Sequence, residues 1–116
     1  MEDLLQKKCV PCERGLPPLS KEQITEYLEQ VKGWKLSEGT TTKGKKHPEL
    51  IRDFTFDDFM PAMQFVNKVA EVAEGEGHHP DIYIFYNKVR LSLWTHAIGG
   101  LHDNDFILAA KINAIL

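Results

Sequence analysis

Asp81-Ile82-Tyr83-Ile84-Phe85-Tyr86-Asn87-Lys88-Val89-Arg90-Leu91-Ser92-Leu93-Trp94-Thr95 is the stretch on which the fold turns. In its first half Ile82, Ile84 and Tyr86 alternate with Asp81, Tyr83 and Phe85; in its second Val89, Leu91 and Leu93 alternate with Arg90, Ser92 and Trp94. Successive side chains of an extended chain point to opposite faces, so a period of two reads as strand. Asn87-Lys88 breaks the pattern at the middle, and Asn tolerates the positive φ that tight turns need. The expectation is an antiparallel hairpin with one core face.

A turn centred on Asn87-Lys88 pairs Tyr86 with Val89, Ile84 with Leu91 and Tyr83 with Ser92, and carried outward it sets His79 opposite His96. Directly opposed residues share a face, with Cβ atoms about 4.5–5.5 Å apart. That face carries Tyr83, Phe85, Ser92 and Trp94, away from the aliphatic side. His78 is next in the chain, and Pro80, which has no N–H, can end the ladder and free both histidines from strict alternation. A cluster of His78, His79 and His96 is expected. With an unperturbed pKa of about 6.5, one imidazole can give a proton while another accepts one near neutrality. Three imidazoles can also hold a catalytic zinc with one position left for water, which is the competing reading. His47, in a Lys-rich segment before Pro48, and His102, beside a helix start, are read as solvated or structural.

Outward from the hairpin, Ser20-Lys21-Glu22-Gln23 has the form of a capping box, and Ile24, Tyr27, Leu28 and Val31 recur at one-face spacing, predicting a helix over about 21–31. Gly33 ends it, Trp34 with Leu36 reads as a short strand, and Glu38 to Lys46 as a turn or mobile loop. A strand over about 49–55 puts Leu50 and Phe54 on one face. Asp57 and Asp58 favour a helix start at Phe59. The helix to about Glu74 carries two apolar stripes, one of Phe59, Met63, Val66, Ala70 and Ala73 and one of Phe65, Val69 and Val72. This is wider than a single core face requires, and the surplus suggests either a subunit interface or deep burial. Gly75 and Gly77 stop the helix. From Asp103 the chain is apolar nearly all round to Leu116, a buried closing helix. The fold class is therefore α+β, a four-stranded antiparallel sheet with three helices on one face in the order α-β-β-α-β-β-α, leaving the other face as a candidate binding surface. Residues 1–19 read as an amino-terminal tail and 20–116 as a single domain.

The 116 residues suffice for one core and not two. A formal charge of −3 argues against non-specific nucleic-acid binding, which needs a basic face. No apolar run of about 18 residues exists to span a bilayer. Met1-Glu2-Asp3 lacks the pattern of a secretory signal, so a cytoplasmic location is expected. Cys9-x-x-Cys12 has no second ligand pair at a zinc-finger interval, and Pro11 with Pro17-Pro18 breaks the context of a redox pair, so both thiols are assigned to a loose, non-catalytic tail.

Glu74-x3-His78-His79-Pro80-x5-Tyr86-x9-His96-x8-Asp105 resembles the signature of the pterin-4a-carbinolamine dehydratases, and Trp34, the Phe54-x-Phe56-x-Asp58-Phe59 stretch and Tyr86-Asn87-Lys88-Val89 are similar to that family as well. The resemblance implies a saddle-like sheet with three helices. It also implies dehydration of a 4a-hydroxytetrahydropterin to the quinonoid dihydropterin and water, in support of tetrahydropterin recycling after aromatic amino acid hydroxylation. It implies catalytic histidines at His78, His79 and His96, with His79 and His96 as the leading pair. Pterin contacts are implied at Gly77-His78-His79 and Trp94-Thr95-His96-Ala97, and Glu74 would bind or orient the substrate. Asp105 would steady His96 from behind or serve as a first-turn helix carboxylate. Neither metal nor cofactor is implied, the pterin being the substrate, and dimers or tetramers joined through the long central helix are usual in the family. The alternative from another class is a non-catalytic protein that sets a partner's oligomeric state, as in the dimerisation-cofactor branch of the family.

Overall fold

Period-two patterning builds a sheet only where the strands find partners, and here four do. The computed structural model describes residues 4–9 and 17–116. After a short 3-10 turn, Leu4–Gln6, come α1 (Lys21–Leu28), β1 (Lys35–Thr40), β2 (Lys46–Thr55), α2 (Phe59–Glu76), β3 (Asp81–Phe85), β4 (Lys88–Leu93) and α3 (Asp103–Ala114). The strands form one antiparallel sheet in the order β1-β2-β4-β3. This is the expected α+β architecture.

Alternation divides the sheet cleanly. Leu50 and Phe54 of β2 and Val89, Leu91 and Leu93 of β4 are buried beneath the helices. They meet Ala62, Phe65, Val66, Val69 and Ala73 of α2 and Phe106, Leu108, Ala109 and Ile112 of α3. The other face keeps His47, Glu49, Asp53, Asp81, Tyr83, Arg90, Ser92 and Trp94. On it Arg90 grips Asp53 through two bonds, Nε to Oδ1 at 2.6 Å and Nη2 to Oδ2 at 3.0 Å.

Ser20 caps α1 through the anticipated box, its Oγ accepting from the Gln23 N–H while Gln23 Oε1 accepts from the Ser20 N–H. The helix stops at Leu28 rather than Val31, because the Gln30 and Val31 amides reach back only three residues and tighten the last turn. Val31 is nevertheless fully buried.

Four expectations need correcting. The segment 38–46 is not a loop: β1 runs to Thr40 and β2 begins at Lys46, leaving a turn over 41–45 closed by Thr41 N–H to Lys45 O at 2.8 Å. Its strand residues are polar on both faces, so no apolar alternation announces them.

On α2 neither stripe is spare along its length: Val66 and Ala73 of the first and Phe65 and Val69 of the second are all buried, so of the two readings of the wide apolar surface burial accounts for most of it. The large apolar side chains that α2 leaves exposed are Phe59 and Met60.

The amino-terminal segment is not loose where it is described. Leu4 is fully buried and packs by α3, its N–H donating to Gln30 Oε1. The Cys9 N–H donates to Glu76 Oε1 at 2.9 Å, and its Sγ lies 3.6 Å from the Asn104 carbonyl. Cys12 lies outside the described residues.

The hairpin turn sits one residue earlier than the local signal suggests. Phe85 pairs with Lys88, Ile84 with Val89 and Asp81 with Ser92, so Tyr86 and Asn87 form the loop and Tyr86 takes the positive φ, 56°. Asn87 is anchored from outside the hairpin: its Nδ2 donates to Phe56 O at 2.9 Å and its carbonyl accepts from Phe56 N–H at 2.8 Å. Tyr86 Oη donates to Asp58 Oδ1 at 3.0 Å. These contacts to the start of α2 outweigh the preference of Asn for positive φ. The register moves by two residues, so every side chain keeps its expected face while its partner changes.

Candidate active site

Gly77 ends α2 in the left-handed region at φ 68°, with its N–H reaching the carbonyls of Ala73 and Glu74 and the His78 N–H returning to Ala73 O. Only glycine takes this turn without a Cβ penalty. The reversal sends His78 inward and leaves His79 outside. His78 Nε2 lies 2.6 Å from Asp105 Oδ1, and the two side chains are 13% and 0% exposed. A carboxylate only accepts, so Nε2 carries the hydrogen and Nδ1 is left as the proton-accepting nitrogen of the neutral ring.

Asp105 stands at the third position of α3 and is shared among three donors. Besides His78 it accepts from Thr95 Oγ1 at 2.9 Å and from the His102 N–H at 3.0 Å, both at Oδ2. The second of these closes a capping box in which His102 is the N-cap. One buried carboxylate thus ties together the end of α2, the segment after β4 and the start of α3. Of the two roles open to Asp105 from the sequence, that of a first-turn helix carboxylate is made and direct support of His96 is not. Asp105 holds His78, and it reaches the His96 segment through the neighbouring Thr95. Thr95 is itself closed into a tight loop by N–H to Gly100 O at 2.9 Å, which leaves His96 and Ala97 exposed.

His96 lies on the helix-free face, against Trp94, with ring centroids 3.8 Å apart and planes at 26°. The other face of the indole is covered by His47 at 3.5 Å and 10°. Beside this stack runs a groove of about 390 Å³ lined also by Glu49, Asp81, Tyr83 and the threonines 40–42. Ser92 Oγ donates to Glu49 Oε2 at 2.6 Å, which fixes that carboxylate at the groove wall.

The expected opposition of His79 to His96 is not made. In the observed register the position across from His96 would be residue 77, and the ladder stops at Asp81 with Ser92. His79 instead lies on the surface with Nε2 3.5 Å from Glu74 Oε1, both side chains mostly exposed. The site residue that sequence reasoning missed is His47: it is 6% exposed and forms part of the stack. Reading β2 two residues further toward the amino terminus, in step with Leu50 and Phe54, would have placed it on the groove face.

A four-stranded antiparallel sheet with helices on one face, and His47 and His96 stacked on Trp94 at its open side, defines the class of small α+β proteins to which the comparisons also lead. The family model described as pterin 4 alpha carbinolamine dehydratase matches residues 17–115, and the chain belongs to that family. It is 44% identical over 115 residues to a protein of Nitrosospira multiformis provisionally named a pterin-4-alpha-carbinolamine dehydratase, covering 99% of this chain and 94% of that one. It is 42% identical to pterin-4-alpha-carbinolamine dehydratase 2, mitochondrial, of Arabidopsis thaliana, covering 99% of this chain and 60% of the plant protein. Among solved structures, the transcriptional coactivator/pterin dehydratase of Brucella melitensis superposes with a TM-score of 0.73 at 33% identity, covering 84% of this chain and 97% of that one.

Proposed function

We propose that the protein is a hydro-lyase that removes water from a 4a-hydroxytetrahydropterin, giving the quinonoid dihydropterin. The observation that carries this reading, beside family membership, is the Asp105 carboxylate bonded at once to His78 and to Thr95, the residue before His96. Departure of hydroxide from a carbon beside a ring nitrogen is assisted by that nitrogen's lone pair, so the step asks for two positioned proton transfers rather than a metal or an organic cofactor. One imidazole protonates the departing hydroxyl to water and another accepts the ring-nitrogen proton. The geometry favours His78 and His96 for these roles over the pair His79 and His96, because His78 has its ring and tautomer set by Asp105. His79 and Glu74 are then outer contacts, and Gly77, Trp94, Thr95 and Ala97 shape the segments that carry the histidines.

The exposed Phe59 and Met60 at the start of α2 support a homodimer or homotetramer. Among the described residues no helix is long and apolar enough to cross a membrane, which is consistent with cytoplasmic action on a small-molecule substrate. The rival reading, a protein that acts by binding a partner, is favoured by the Brucella relative, whose name joins transcriptional coactivator and pterin dehydratase. A dehydration assay on freshly generated 4a-carbinolamine separates the two. Turnover above the spontaneous rate, lowered by about 10²–10⁴-fold in His78→Ala or His96→Ala, is the expected result. A rate equal to the uncatalysed one would remove the enzyme reading.

A further inference from the structure

His96 is an exposed side chain, and among the described residues its only hydrogen-bond, ion-pair or ring contact is the stack on Trp94. An imidazole so placed has a broad second torsion, and proton transfer demands that its nitrogens sit within hydrogen-bond reach of the reacting atoms. What holds Trp94 therefore decides where His96 points. Beneath the indole lies His47, nearly parallel to it and buried.

His47 is itself fixed on two sides. Its Nδ1 lies 3.2 Å from the Pro48 carbonyl oxygen, which only accepts, so the ring donates from that nitrogen. Across the β1–β2 ladder its partner is Gly39, and a Cβ at that position would fall 2.6 Å from His47 Cε1 and 2.8 Å from Glu49 Oε2. The bare glycine leaves the space that the imidazole fills. A buried ring seated over a glycine, capped by an indole and then by an exposed imidazole, forms a column with its base in the sheet and its tip at the groove.

We propose that His47 is a positioning residue that fixes the plane of the His96 imidazole through Trp94, and that turnover depends on this column. The second clause rests on the dehydratase reading; the first does not. The ring protons of His96, lying over the indole face, carry an upfield ring-current shift that reports the stack without any reaction. In the full chain, His47→Phe keeps a flat ring beneath Trp94 and should retain the shift, with kcat well above that of His47→Ala. His47→Ala removes the base, and Gly39→Ala forces it aside. In both, the shift should collapse toward that of a free histidine, and kcat should fall about 10- to 10²-fold with KM changing far less, as for a displaced catalytic group. If His47→Ala fails to fold, the contrast between Gly39→Ala and His47→Phe decides. A folded His47→Ala or Gly39→Ala protein with the wild-type His96 shift overturns the proposal, as does a lost shift with kcat unchanged. Absent turnover in the wild type would sink the dehydratase reading and with it the dependence on turnover, while the shifts alone would still decide the positioning of His96.

Discussion

Asp105 shows how much one residue can settle when it is fully buried. A carboxylate with no solvent must have its lone pairs met, and three donors from three segments meet them. Asp105→Asn keeps the shape but puts an NH₂ where a donor already points, toward either His78 or the Thr95–His102 side. A loss of about 1–3 kcal/mol in stability is expected by urea titration, with turnover down by about 10²-fold or more because the His78 tautomer is no longer set. Full activity at wild-type stability would show that the bond to His78 is incidental. Cys9 gives a second test at this scale. Burial, and then the nearby Glu76 carboxylate, push its thiol up to about 12 from an ordinary 9.0. The folded chain therefore holds this proton more tightly than the unfolded one, so stability should be unaffected below pH 9.0 and should fall as pH rises from there toward about 12. In a Cys12→Ser background, alkylation at pH 8 should be far slower for native protein than for denatured protein, and equal rates would count against burial of the thiol.

Among the elements, the amino-terminal turn Leu4–Gln6 is the one whose part in the fold the sequence hides. Three residues cannot show a period, and the sequence between this turn and α1 is broken by Pro11, Gly15, Pro17 and Pro18. Yet Leu4 is as buried as any residue in the core, and Cys9 is bonded at the end of α2. Leu4→Ala should cost about 2–5 kcal/mol, the range for a large-to-small change in a packed site, measured as a fall in the urea midpoint at constant m-value. A change within about 0.5 kcal/mol, as for a surface site, would restore the view of this segment as a dispensable tail. The helix α2 carries the opposite lesson. Its two apolar stripes are plain in the sequence, but which residues of each face the core depends on how the helix rolls on the sheet. Contacts such as Phe65 with Phe54 and Phe56, at ring distances of 4.7 and 5.2 Å, settle that roll.

For the molecule as a whole, the roll of α2 separates two substitutions that look equivalent in sequence. Met60→Lys changes a side chain that is 61% exposed, and light scattering should show a smaller mass with the thermal transition of the fold preserved. Phe65→Lys places a charge in the core and should unfold the chain outright. An unchanged mass in Met60→Lys would remove this end of α2 from any interface.

The order of helices and strands, the capping box of α1, and the division of the sheet into an aliphatic and a polar face were determined by the sequence alone. These features follow from the geometry of the local backbone: a strand alternates and a helix repeats near 3.6 residues wherever it lies. Even the misplaced turn left every face correct, because a two-residue change of register preserves parity. Tertiary structure decided the rest. Tyr86 replaced Lys88 in the loop because Phe56 anchors Asn87 from 31 positions away and Asp58 holds Tyr86, Asp105 took His78 rather than His96 because Gly77 turns the end of α2 inward, and His47 left a plain Lys-rich stretch to become the base of a ring stack. Each of these choices rests on the free energy of contacts between residues far apart in the chain, which no local period records and only the assembled sheet and helices bring into being.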